Sequence, residues 1–433
     1  MSELKAGVGL SRKWDAREAG REVAETALEK LEGEKPKFFL LFSTIHYEKY
    51  GGFQELLNGV WEVLPEGTPL IGGTVAGFMN NYGCFARGAT ALTVAYPNMD
   101  VAVGVGHNTK KSPVKAAGEC AKMIKANLRD RWQNRFLVSL VSGPEILELP
   151  SGERKKVIRG ITARFAKSFW NLSRKTFQKG AAMDDEILEE LAKAFPDHSI
   201  LSGCLTDDLN LLRNYQFING KVYTNAIVSL AVTTDLPFCI HSTHGAREIG
   251  IKCTATKLSG DKRIIEELDG EPAVNRFLKL LNWPICFLDE ETFYKIFLYY
   301  PIGFRKEEQL VPRVVGSIIG EALVLSSAIE SNELSLLTIS GKEIVETVVE
   351  SLKVSPKEMQ LMLASSCFTR LETLGKEMYA IKDIIASEMK ERPFLVFYVA
   401  GEGLFDSITK KRFNLAMSFN TIVIGGNKNE RDR

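Results

Sequence analysis

No uncharged apolar run in this 433-residue chain approaches the ~18 residues that suggest a membrane span, so no transmembrane segment is expected. The N-terminus carries Glu3, Lys5, Arg12, Lys13 and Asp15 in place of an apolar h-region, and no signal peptide is expected. Cysteine is sparse: seven scattered residues, odd in number and without a C-x-x-C, read as reduced thiols in a cytoplasm. Neither sign of charge is in excess. The formal net charge is +1, so the molecule as a whole offers no argument for nucleic acid. No G-x-x-x-x-G-K-[ST] loop is present. A dinucleotide turn is missing too, because "AGVGLS" (6–11) and "VAVGVGHN" (101–108) lead to Arg12 and Thr109 where the third glycine belongs. The absence of G-x-S-x-G and H-E-x-x-H removes support for the familiar hydrolase chemistries. No catalytic residue, metal site or cofactor is assigned.

What remains is ordinary in bulk, with 45% hydrophobic and 25% charged residues, and long enough for two or three domains. Its order is less ordinary. After "AGVGLS", Ala16, Ala19, Val23, Ala24, Ala27, Leu28 and Leu31 recur at helical spacing. Then come strand "KFFLLFST" (37–44), a helix across 53–64, strand "PLIGGT" (69–74) and strand "TALTVAY" (90–96). After "VAVGVGHN" the same grammar returns: a helix carrying Ala117, Cys120, Ala121, Ile124 and Leu128, strand "RFLVSLVSG" (135–143), a helix across 185–195, then "SILSGC" (199–204) and "NAIVSLAV" (225–232). "LIGG" matches "LSGC", and "FCIHSTHG" (238–245) stands where "VAVGVGHN" stood, which sets His244 opposite His107.

The expected fold class is therefore α/β. Duplicated β-α-β-α-β-β units (about 1–100 and 101–245) with mixed sheets fill a domain over 1–245, and a second α/β domain follows over 246–433. In the second domain "ELSLLTIS" (333–340), a helix over 342–352, "MQLMLASSC" (359–367), a helix over 374–390, "PFLVFYVAGEG" (393–403) and "NTIVIGG" (420–426) follow related grammar.

Several motifs in this order resemble a known family. They are "LDGEPAVNRFLKLL" (268–281) with Asp269-Gly270 and Pro272-Ala273, "YYPIGF" (299–304), "SSCFTRLETLG" (365–375) with Cys367 and Arg370, "AGEG" (400–403) with Gly401-Glu402, and Asn420-Thr421. Over nearly the whole chain this resembles the FIST family, whose paired N and C domains are named after F-box and intracellular signal-transduction proteins. The resemblance implies a sensory module for small ligands, amino acids being the usual suggestion, often fused to kinase, cyclase or chemotaxis output domains. No such output motif is visible here, so a stand-alone cytoplasmic sensor signalling through a separate partner is expected. A protein-interaction adaptor is the alternative, and an enzyme using Cys367 the third reading.

Ligands of open α/β sheets bind beyond the carboxyl ends of strands. The residues there are small and polar: Ser43, Thr44 and His46; Gly72, Gly73 and Thr74; Gly203, Asp207 and Asp208; Cys367, Thr369 and Arg370; Gly401 and Glu402. An amino-acid ligand needs a cation for its carboxylate, which Arg370 offers as a fork, and a carboxylate for its ammonium, which Glu402 or Asp207 with Asp208 offers. Arg370 and Glu402 pairing with each other is the structural alternative. Asn420 and His244 complete the expected ligand set. Cys239, His241 and His244 do not share one strand face, which argues against a metal.

One segment departs from the repeat. Residues 149–180 are extra, and 151–180 hold nine Lys or Arg against Glu153 alone, +8 in a chain of +1. Ile158, Ile161, Phe165, Phe169 and Leu172, with Trp170 beside them, read as the apolar stripe of a basic amphipathic helix. Such a helix packs on its own domain or docks on an acidic partner or surface through Lys155, Lys156 and Arg159. It is also the expected lid.

Overall fold

The structure is a computed structural model and describes residues 3–146, 155–160, 163 and 178–425. The first copy of the repeat runs β1 (Lys5–Ser11), α1 (Ala16–Glu29), β2 (Phe38–Ser43), α2 (Phe53–Trp61), β3 (Leu70–Thr74), β4 (Gly77–Asn80), β5 (Gly83–Phe85) and β6 (Ala89–Ala95). The second runs β7 (Met99–His107), α3 (Pro113–Asn127), β8 (Asn134–Ser142), a short β9 (Val157–Ile158), α4 (Asp184–Ala194), β10 (Ser199–Leu205), β11 (Gln216–Ile218), β12 (Lys221–Tyr223) and β13 (Ala226–Thr234).

A third copy opens with β14 (Phe238–Thr243) and is at once interrupted. The interruption holds β15 (Arg247–Leu258), β16 (Ile264–Leu268), β17 (Glu271–Pro272), α5 (Ala273–Leu280), α6 (Glu290–Tyr299), β18 (Ile302–Lys306), β19 (Gln309–Arg313), β20 (Val315–Ile319), β21 (Ala322–Leu325) and β22 (Glu333–Thr338). The copy then resumes with α7 (Gly341–Lys353), β23 (Met359–Cys367), α8 (Thr369–Leu374), α9 (Met378–Met389), β24 (Phe394–Val399), β25 (Glu402–Phe405), β26 (Arg412–Asn414) and β27 (Phe419–Gly425).

The three copies build three six-stranded sheets of one design. Their orders are β1-β6-β2-β3-β11-β12, β7-β13-β8-β10-β25-β26 and β14-β27-β23-β24-β4-β5. In each, the first, last, second and third strands of one copy lie side by side, and the hairpin of another copy finishes the edge. The hairpin exchange is cyclic: copy two completes copy one, copy three completes copy two, and copy one completes copy three. It sets Phe217 beside Gly72, Glu402 beside Gly203 and Phe78 beside Phe397. Within these three sheets, among the described residues, the central pairs β2–β3, β8–β10 and β23–β24 are the parallel ones, as a strand-helix-strand crossover requires. The mixed α/β class expected from sequence is what the structure shows, and a triplication replaces the duplication.

Two expectations change. Two of the three sheets draw strands from both sides of residue 245, so the 1–245 and 246–433 halves do not separate as packing units. Val157–Ile158, read from sequence as the start of a basic helix, is a strand, pairing in parallel with β20. The backbone ladder offered by β20 outweighs the helical pattern there. The remainder of the proposed stripe, Ile161, Phe165, Phe169, Trp170 and Leu172, lies outside the described residues.

Where the three sheets face one another, Phe42, Phe78, Val138, Leu201, Leu205, Leu363, Phe397 and Val399 form one core. Phe42 and Phe397 stack at 4.4 Å between centroids, joining copies one and three. Each sheet's outer face is covered by its own helices. The Gly-Val-Gly motif serves that packing. A Cβ on Gly106 would stand 1.8 Å from the Ala116 carbonyl oxygen, and one on Gly9 would stand 2.0 Å from that of Val23. The helix backbone lies directly on the strand, without side chains between. Gly106→Ala is therefore expected to cost about 1–3 kcal/mol. Gly118→Ala, on the open face of α3 with nothing within 4 Å, should be neutral or stabilising. Denaturant midpoints of the two variants check this, and equal midpoints would remove the packing explanation.

Candidate functional site

A cavity of about 110 Å³ opens where copies two and three meet the interrupting segment. Its wall collects strand ends, as expected for an α/β protein: Pro144–Ile146 beyond β8, Cys367–Thr369 beyond β23, Ala400–Glu402 beyond β24 and Asn414–Ala416 beyond β26. Gly180–Ala182 and Asp184 at the start of α4 supply another side. Val314, Val324, Leu325, Ser326 and Ser327 of the interrupting segment close it. Most of the wall is apolar, and its carboxyls, Glu145, Asp184 and Glu402, are buried.

Glu402 is the foremost of them. It is 1% exposed; Oε2 accepts from Ser418 Oγ at 3.4 Å, and Oε1 has no hydrogen-bond partner. Burial, with Asp184 adding to it, pushes its carboxyl well above the usual range. Asp184 is 5% exposed and accepts from Asn414 Nδ2 at 2.8 Å. Burial and then the Asp185 charge push Asp184 up as well, against the pull of Arg263. Arg263 is occupied by Asp185, with Nη2 at 2.5 Å from Oδ1. Arg313 donates to the carbonyls of Ala328, Pro312 and Asn414, which fixes β26 and thereby Asn414. The acids meet no arginine on the cavity wall itself; Lys155 is the cation among its described lining residues.

Glu145, also on the wall, is differently placed. Lys110, wholly buried, reaches its Oε1 at 2.9 Å; Lys179 holds the other oxygen, and Asn214 Nδ2 adds a bond at 3.3 Å. Burial pulls the Lys110 ammonium below its ordinary value, while Glu145 opposes that. This carboxylate is spent on structure.

Of the ligand residues expected from sequence, the structure brings Cys367, Gly401 and Glu402 together on the cavity wall. The others are employed elsewhere. Arg370 is buried; its Nη2 donates to the Ile344 carbonyl at 2.8 Å and Thr347 Oγ1 at 2.5 Å on α7, and its guanidinium lies over Phe419. It neither lines the cavity nor forms an ion pair with Glu402: α7 takes both bonds of Nη2, while Nη1 has no hydrogen-bond partner. Gly72 admits the backbone of Leu41, its neighbour in the same sheet, whereas Gly73 admits Leu205 and Gly203 admits Phe397 and Val399 of facing sheets, so these last two glycines let sheets approach one another.

Asp207 accepts the backbone N–H groups of Leu211, Leu212 and Arg213, a clamp that presents Leu211 to the cavity. Its neighbour Asp208 is exposed and bonds Asn210. Asn420 accepts from Ser242 Oγ at 2.6 Å. His244 sits 3.1 Å from the Leu310 carbonyl through Nε2 and accepts from Ala246 N–H through Nδ1. For partner docking, Lys155 is exposed, Arg159 half-buried, and Lys156 buried with its ammonium donating to the Leu209 carbonyl. Burial lowers Lys156 to about 8, which removes it from a docking surface.

Cys367 is buried beside Thr369, whose Oγ1 donates to Sγ at 3.1 Å, and burial with Glu402 pushes the thiol up. It stays protonated and is a poor nucleophile. Sequence reading missed Asp184 and Asn414. An acid in the first turn of "MDDEILEELAKAF" reads as ordinary dipole compensation, and only the β25–β26 hairpin crossing to β10 carries Asn414 to it.

The FIST N domain model matches residues 37–271, a little over half the chain, and the chain belongs to the FIST family. An uncharacterised protein of Methanocaldococcus jannaschii is 26% identical over 234 residues, 51% of this chain; the match spans 44% of that relative's length. Among solved structures, cyanuric acid hydrolase of A. caulinodans is similar at TM-score 0.35 and 7% identity, covering 98% of this chain and 99% of that one. A cyanuric acid hydrolase described as innovation by structural concatenation is similar at TM-score 0.31 and 9% identity, over 98% and 100%. Family membership is consistent with a small-ligand sensory role. Among the described residues no helix is long and apolar enough to cross a membrane.

Proposed function

We propose that this protein is a stand-alone sensor that takes a small polar ligand, amino-acid-like in size, into the cavity between its second and third copies and signals through a separate partner. The observation that carries this reading is Glu402, a wholly buried carboxyl on a cavity wall with one oxygen left unpartnered. Leaving such a group unsatisfied costs about 1–3 kcal/mol, a cost a bound ligand removes. The seven free cysteines agree with a cytoplasmic setting. Against the reading as a cysteine-dependent enzyme stands the protonated, enclosed Cys367 thiol.

A thermal-shift screen of small metabolites tests the proposal. A ligand at 100 times its dissociation constant adds about 2.7 kcal/mol to stability. Ala416→Trp, which pushes an indole into the cavity, should abolish the shift. Shifts that persist in Ala416→Trp would place binding elsewhere, and a screen without any shift would leave the adaptor reading.

A further inference from the structure

We propose that Glu402 and Asp184 together receive a protonated amine of the ligand and release a proton as they do so. This rests on the cavity being the ligand site, and goes beyond it by naming the chemistry that enters.

The argument is one of electrostatic inventory. Among the described residues, three carboxyls stand on the wall. Glu145 is neutralised by Lys110 and Lys179. Asp184 has a neutral amide, Asn414, and Glu402 has a hydroxyl at long range, with one oxygen bare. Among the described residues, Lys155 is the cation on the wall, and the other charged or titratable groups near the pair are held by other partners or carry a like charge. Asp185 binds Arg263. Arg313 serves three carbonyls, and Arg370 serves α7. The thiols of Cys367 and Cys204 are themselves pushed up by the acids.

Neither buried acid forms an ion pair with a cation among the described residues, and burial, outweighing the more distant pull of Arg263 on Asp184 and Arg370 on Glu402, favours the protonated form of each. One of the pair ionises when a positive group arrives, the other keeps its proton, and an ammonium brings three donors in a compact charge to share between them. The exchange balances: the alkylammonium enters carrying its proton, one carboxylic proton leaves to solvent, and an ion pair remains. A metal ion is a poorer fit, since no group of three or more His, Cys, Asp or Glu stands ready among the described residues.

The test compares amines with hydroxyl analogues of the same shape, L-alanine with L-lactate and putrescine with 1,4-butanediol, by calorimetry from pH 6 to 8 in two buffers of different ionisation heat. The expected result is binding of the amine, release of close to one proton, and affinity rising about tenfold per pH unit. Glu402→Gln should weaken the amine at least tenfold and flatten its pH profile while the cavity still binds neutral compounds. Asp184→Asn serves as the second variant should Glu402→Gln fold poorly. Equal affinity for alcohol and amine, absence of proton release, or binding of calcium or magnesium alone would overturn the proposal while leaving the cavity a ligand site. Binding that survives in Ala416→Trp, or no binding by any compound, would overturn the cavity reading itself.

Discussion

Glu145→Ala is expected to lower the stability of the protein by about 3–5 kcal/mol, enough to threaten folding at ambient temperature. The loss comes less from the carboxylate than from what it leaves behind. Lys110 is wholly buried and its ammonium is matched by Glu145 at 2.9 Å, so truncation strands a charge where water cannot reach it. Lys179, on the other oxygen, is 42% exposed and simply rehydrates. The reciprocal variant, Lys110→Met, should cost less, because Lys179 still answers Glu145. Joint replacement, Lys110→Met with Glu145→Leu, should recover most of the loss, since a buried ion pair contributes little over an apolar pair of similar volume. Urea midpoints of the three variants check the ordering. A Glu145→Ala loss below about 1 kcal/mol would mean that Lys110 escapes to solvent and that this wall of the cavity is not rigid.

The second large effect is in the pH profile. Glu402 in the folded protein holds its proton well above the ordinary carboxyl range, so between that range and its raised value the folded state binds one proton more than the unfolded state. Stability must then fall as pH rises through the window, by about 1.4 kcal/mol per pH unit for each such group. Asp184 contributes in the same direction. Glu402→Gln removes one of the two titrating groups and should flatten the alkaline side by about that slope, so that the variant gains on the wild type as pH increases. Parallel profiles for wild type and variant would show that Glu402 ionises freely and is not enclosed as described.

At the acid end the sign reverses. His198 is buried and His46 half-buried, and desolvation lowers both to about 4, so the stability they contribute is present above the usual histidine range and is lost as pH falls from there toward 4. A thermal-denaturation series between pH 7 and 4 should show that decline, shared between the two; a flat series would place both rings in water.

Local pattern was enough to find the elements of the first two copies. Period-3.6 stripes such as Ala16, Ala19, Val23, Ala27 and unbroken apolar runs such as "FFLLFS" are physical signatures of a helix lying on a sheet and of a strand buried on both faces, and the structure places α1 and β2 there. The third copy was harder to see. Its opening strand "FCIHST" has no glycine, and a long interruption separates it from α7, so the repeat is broken in sequence while intact in space.

For the candidate site, Cys367, Gly401 and Glu402 were legible because they sit at the carboxyl ends of obvious strands. Arg370 misled, since a guanidinium three residues from that cysteine looks like a ligand fork until α7 is seen to occupy it. Asp184 and Asn414, 230 positions apart, carry no shared signal at all.

Sequence alone thus determined the α/β class, the alternation of elements, the Gly-Val-Gly strands and the family, because each rests on neighbours along the chain. Tertiary structure decided the hairpin exchange, the fate of each charged side chain and the location of the cavity. Those depend on which backbone carbonyls and counter-charges reach a group first once distant segments meet, and no local pattern records that competition.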